Sequence, residues 1–112
     1  MKPAGVIAAL AALAQDSRLA VFRALVQAGP SGLAAGEIGK QTHIAPSSLS
    51  FHLKELSHAG LVSAKQEGRF IFYAANFTTM NAVLSFLTEN CCGGEDCGVM
   101  CAPLSKQKKR LS

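Results

Sequence analysis

The chain has 112 residues, 49% of them hydrophobic and 16% charged, with a formal net charge of +4. That is one small domain, too short for two independent cores and too apolar to be disordered. The uncharged, alanine-rich run 4–15 falls short of the ~20 apolar residues a membrane span needs, and no signal pattern opens the chain, because Lys2 is followed at once by Pro3. The expected location is therefore cytoplasmic.

In chain order, Val6, Ile7, Leu10, Leu13 and Ala14 recur at helical spacing and predict a first helix over 4–14, with alanines suited to close packing. Asp16 reads as the N-cap of a second helix with the stripe Leu19, Phe22 and Val26, and Leu25 alongside. Gly29-Pro30 and Ser31-Gly32 stop it. A short helix over 34–42 places Ile38 inward. The turn His43-Ile44-Ala45 follows, and Pro46 suits the first position of the next helix, over 46–59. Leu49, Leu53 and Leu56 give that helix one apolar edge, and Gly60 is a natural cap. Runs 61–66 and 69–75, parted by Glu67-Gly68, predict a β-hairpin. A last helix starts near Asn76 to Thr79, carries Met80, Val83, Leu84 and Leu87, and ends at Glu89-Asn90. The fold class is mainly α with a small β-hairpin, in the order of a winged helix-turn-helix.

In such a motif the second helix enters the major groove with its first turns against base edges. Ser47, Ser48 and Ser50 suit that position, being small and able to donate or accept a hydrogen bond. His52 lies further along and reads either as a base or phosphate contact or as a buried histidine holding the helix. Gln41 and Thr42 precede the turn as candidate phosphate contacts. Lys65 and Arg69 flank the hairpin turn as candidates for phosphate or minor groove. Phe51 acquires no role at this level beyond touching a thymine methyl or packing on a partner helix. Charge alone does not argue for DNA. Lys106, Lys108, Lys109 and Arg110 supply four of the eleven cations, and residues 1–105 are formally neutral.

Residues 44–75, IAPSSLSFHLKELSHAGLVSAKQEGRFIFYAA, resemble the reading helix and wing of the ArsR/SmtB metal-sensing repressors. Asp16-Ser17-Arg18-Leu19 resembles the opening of that family's second helix, and the likeness spans about residues 5–90. The resemblance implies a homodimer built on the first and last helices. It implies repression of a metal-resistance operon, with metal lowering the affinity for operator DNA. Dimerisation is expected on physical grounds too. The first and last helices carry more apolar surface than so small a core can cover, and two reading helices would demand an inverted-repeat operator. One departure is informative. Many relatives carry a Cys-x-Cys pair before the reading helix, and Ala34 and Gly36 stand at those positions here.

All four cysteines, Cys91, Cys92, Cys97 and Cys101, fall within the last quarter of the chain. Secreted disulfide scaffolds spread their cysteines, so this cluster suggests a soft-metal or redox site. Adjacent cysteines on one helix point about 100° apart. Cys91 and Cys92 therefore share a centre only if the helix has ended, which Asn90 and Gly93-Gly94 allow. Three thiolates from Cys91, Cys92 and Cys97 suit As(III) or Sb(III) as an inducer. With Cys101 as a fourth ligand the site would suit Zn, Cd or Pb. The family contains arsenite sensors with a similar Cys-Cys…Cys arrangement. Residues 1–90 are thus expected to form the DNA-binding and dimerisation domain, and 91–112 a cysteine segment with a basic tail. A redox-sensing repressor on the same fold is the rival. Catalysis is not expected: no phosphate loop or hydrolytic triad is present, and thiols after a helix C-terminus beside Glu89, Glu95 and Asp96 lack the setting of a nucleophile.

Overall fold

The computed structural model describes residues 1–94. It has five helices, α1 (Pro3–Leu13), α2 (Asp16–Ala28), α3 (Ala35–Thr42), α4 (Pro46–His58) and α5 (Phe77–Leu87). Three strands accompany them, β1 (Leu33–Ala34), β2 (Val62–Glu67) and β3 (Phe70–Ala75). The sheet is antiparallel in the order β1-β3-β2. This is the expected winged helix-turn-helix layout, with one addition: β1 pairs Leu33 with Tyr73 and Ala34 with Phe72. The sequence reading assigned Ala34 to the following helix. The free edge of β3 holds it in a strand instead.

α2 and α4 carry the core. Val21, Phe22 and Leu25 from α2 meet Leu49, Leu53 and Leu56 from α4, with Ile38 from α3 and Leu61 below the sheet. The α4 stripe is the expected one. The α2 stripe is rotated: Val21 is fully buried and Leu19 is 44% exposed. The two positions are equally apolar, and the neighbours, not the periodicity, choose between them. α1 divides its apolar residues between two faces. Val6, Ala9 and Ala12 are buried, whereas Ile7 and Leu10 point outward. α5 does the same, burying Val83 and exposing Leu84 and Leu87.

The helix ends show what the local sequence can enforce. Gln15, not Asp16, caps α2, its Oε1 accepting from the Arg18 amide at 2.8 Å. Arg18 Nε then donates to the Ala12 carbonyl at 2.7 Å and ties α2 to the end of α1. At the end of α4 the Leu61 amide donates to Leu56 and the Gly60 amide to Ser57. That is the paired bonding of a Schellman motif, with Gly60 at φ 79 just beyond the capping residue Ala59. The hairpin register pairs Glu67 with Phe70, so the turn is Gly68-Arg69, one residue later than expected. Gly68 takes φ 61, the left-handed conformation that a two-residue hairpin wants at its first central position. Among the described residues no single helix is long and apolar enough to cross a membrane.

Gly32 is the position where the backbone tolerates no side chain. Its φ is +71, and a Cβ there would collide with the Tyr73 carbonyl of β3. Gly36, in α3, faces open space. Gly32→Ala is expected to destabilise the fold by about 2 kcal/mol or more, whereas Gly36→Ala stabilises it by about 0.5 kcal/mol. Urea midpoints of the two variants against the parent would check the opposite signs.

Candidate nucleic-acid interface and the cysteine turn

The buried stripe of α4 settles which side chains of that helix face out. With Leu49, Leu53 and Leu56 against the core, Ser47, Ser48, Ser50, Phe51 and Lys54 are exposed. The helix is launched by a compact turn. His43 adopts φ 60, its amide donates to the Gly39 carbonyl at 2.8 Å, and Pro46 opens α4. Ser47 and Ser48 thus sit in the first turn, both exposed.

The other candidates are placed less uniformly. His52 is half-buried, and its Nδ1 is buried without a hydrogen-bond partner in the structure. Its ring meets Phe51 edge-on, centroids 5.8 Å apart. This placement is compatible with both readings. Gln41 is exposed, and its amide donates to Glu37 at 3.3 Å. Thr42 Oγ1 donates to the Ile38 carbonyl at 2.7 Å, so a phosphate would have to compete for that proton. Lys65 and Arg69 are exposed at the far end of the hairpin. Lys65 Nζ lies 3.3 Å from Glu67 Oε1, with both side chains more than half exposed. Such surface pairs are worth little, so a phosphate can take Lys65 at small cost. Lys54 is the residue the sequence reading left out. It lies seven residues after Ser47, hence on the same helical face, and that spacing was the available signal.

After α5 ends at Leu87 the chain turns twice, with Asn90 at φ 55 and Cys92 at φ 57. The helix has ended before the cysteines, as a shared centre requires. Cys91 and Cys92 Sγ stand 3.8 Å apart. Two sulfurs each ~2.3 Å from one tetrahedral metal stand about 3.8 Å apart as well. Cys91 is disulfide-bonded in this structure. Cys97 and Cys101 lie outside the described residues, and so does the basic tail. Among the described residues no group of three His, Cys, Asp or Glu is placed to hold a metal ion.

A helix-turn-helix domain family matches residues 13–63, from the end of α1 into β2. YceK of Bacillus subtilis (strain 168), an uncharacterized HTH-type transcriptional regulator, is 33% identical over 73 residues, covering 65% of this chain and 72% of that protein. The chain belongs to the helix-turn-helix transcriptional regulators. The transcriptional repressor SdpR of the same organism is 33% identical over 61 residues, 51% of this chain and 68% of SdpR. Among solved structures, an ArsR-like transcriptional regulator from Rhodococcus sp. RHA1 superposes with a TM-score of 0.69 at 22% identity, covering 96% of this chain and 87% of its own. The homodimeric winged helix-turn-helix DNA-binding domain of Mb0332 from Mycobacterium bovis, a possible ArsR-family regulator, has a TM-score of 0.61 at 23% identity, covering 84% and 87%. This regulator therefore has the fold of ArsR-type proteins, and its α3–turn–α4 unit lies within the stretch that the helix-turn-helix family matches.

The placement of the polar groups separates two kinds of contact. Lys65→Ala and Arg69→Ala are expected to weaken binding to all DNA sequences alike and to flatten the salt dependence, each lowering the slope of log K against log salt by about 1. Thr42→Val, which removes a proton already committed to Ile38, should change affinity less than about twofold. Fluorescence anisotropy across a salt series measures both.

Proposed function

We propose that this regulator is a repressor that holds an inverted-repeat operator as a homodimer and releases it when As(III) or Sb(III) binds the thiolates of Cys91, Cys92 and Cys97. The observation that carries the reading is where the cysteine pair sits. It comes three residues after α5, the helix that exposes Leu84 at 43% and Leu87 at 56%. With Ile7 and Leu10 of α1, these residues supply the apolar face a two-fold partner would cover. A ligand clamped at the end of that helix acts on the dimer seam and so on the spacing of the two reading helices. The repressor role draws on the likeness to SdpR. The two-fold assembly draws on the likeness to Mb0332.

The chemistry of the donors supports a thiophilic ion. The two sulfurs stand 3.8 Å apart, near enough for both to reach one thiophilic centre once the disulfide at Cys91 is reduced. His43, His52 and His58 all lie upstream in the sequence, on or beside the helix-turn-helix. For the switch to work, the ligand must prefer the DNA-free form. A coupling of about 1–3 kcal/mol gives roughly 5–150-fold loss of operator affinity. The disulfide at Cys91 favours a second reading, release by thiol oxidation with no metalloid at all.

Two experiments test these statements. Under a phosphine reductant, micromolar arsenite is expected to release operator DNA in gel shift. Cys91→Ser, Cys92→Ser and Cys97→Ser should each keep DNA binding and lose the response, while Cys101→Ser keeps both. Release by oxidant but not by arsenite would sink the metalloid reading in favour of the redox one. Separately, Ile7→Glu and Leu87→Glu are expected to sediment as single chains and, by losing the second half-site, to bind operator about a hundredfold more weakly.

A further inference from the structure

The outward stripe of α4 contains one side chain that the contacts above leave unused. At about 100° per residue, Phe51 stands nearly opposite the centre of the Leu49, Leu53 and Leu56 stripe. It lies between Ser47 and Lys54 on the line that turns furthest from the core. Its ring is 54% exposed. The half-buried His52 ring supports it edge-on at an interplanar angle of 64°, so the phenyl group is braced from the protein side and open on the other.

The flanking residues say what kind of surface covers it. The other large exposed apolar side chains of the helices, Ile7, Leu10, Leu84 and Leu87 among them, lie on α1, α2 and α5, and those of α1 and α5 form the face ascribed to the dimer. Phe51 is an isolated ring among hydroxyls and a lysine, which is not the make-up of a protein-binding patch. Serines discriminate poorly between bases, because a hydroxyl can donate or accept at any of them. The major groove offers one apolar group, the C5-methyl of thymine, and a phenyl ring is among the side chains that meet it. We infer that Phe51 reads a thymine methyl in each operator half-site and is a specificity-determining residue. This rests on the DNA-reading role of α4 proposed above.

The test uses the full-length reduced protein and DNA selected by it from a random duplex pool. Each thymine of the selected site is replaced in turn by deoxyuridine, symmetrically in both half-sites, which removes only the methyl. One such pair is expected to weaken binding by about fourfold per half-site, about fifteenfold in all. Phe51→Ala should bind the thymine site as weakly as the parent binds the uridine site, and be indifferent to the exchange. Phe51→Leu should keep part of the sensitivity. The inference is overturned if no uridine replacement costs the parent more than twofold, or if the loss persists undiminished in Phe51→Ala. It is equally overturned if Phe51→Ala changes the sedimenting mass, which would place the ring in a protein interface. Failure of the pool to yield any enriched site would instead bring down the DNA-reading role itself, and this inference with it.

Discussion

The burial of three leucines on one edge of α4 is the constraint on which the rest depends. Leu49, Leu53 and Leu56 are each 3% exposed or less, and each would cost about 2–5 kcal/mol to truncate. That energy holds the helix at one rotation about its axis. Once the rotation is set, the outward line of Ser47, Phe51 and Lys54 follows without further instruction. The ends of α4 reinforce it. Pro46 starts the helix where no amide bond is lost, and Gly60 turns the chain so that Leu61, 1% exposed, packs under the last turn. The reading surface is thus a by-product of the core, which keeps its geometry when its own residues change.

The same division of labour appears at the other end of the molecule, where α1 and α5 each bury one face and expose another. Ile7 and Leu87 stand in water at 66% and 56% exposure, and a two-fold partner would cover them. On that reading α5 carries part of the dimer seam and leads to the cysteine turn, with only Thr88, Glu89 and Asn90 between them. A ligand that rearranges the turn has only the end of a helix to push on, and the helix is packed against α1 and thence against α2 and α4. Close-packed elements pass on displacement because they cannot compress.

Much of this was legible in the sequence because it is written in periods and punctuation. The α4 stripe, the proline and glycine at its ends, and the hairpin signal each have a local cause. What could not be read has a non-local one. Leu33-Ala34 is a strand only because β3 offers an unpaired edge, and two residues hold no period. Leu19 and Val21 exchange places because either could face inward until α4 and α1 arrive. The hairpin turn sits one residue later than expected because Gly68 is placed where a positive φ is required, a demand of register and not of composition. At the candidate site the outward serines and the wing cations were legible from helix phase and turn position. The commitment of the Thr42 hydroxyl to Ile38 and the edge-on support of Phe51 by His52 were not, since both depend on side-chain conformation.

The modest charge of the folded part is consistent with a regulator that has to let go. Lys54, Lys65 and Arg69 are the cations that α4 and the hairpin turn to the outside, and Lys65 lies beside Glu67. Few phosphate contacts mean a shallow salt slope and weak grip on arbitrary sequence. In the proposed dimer, affinity would then come from base contacts and from two half-sites bound at once, both set by the spacing of the two α4 helices. A strongly basic protein would stay on DNA after its half-sites fell out of register. In the proposed switch, one that relies on geometry would lose most of its hold when the geometry moves, so a coupling of a few kcal/mol would empty the operator.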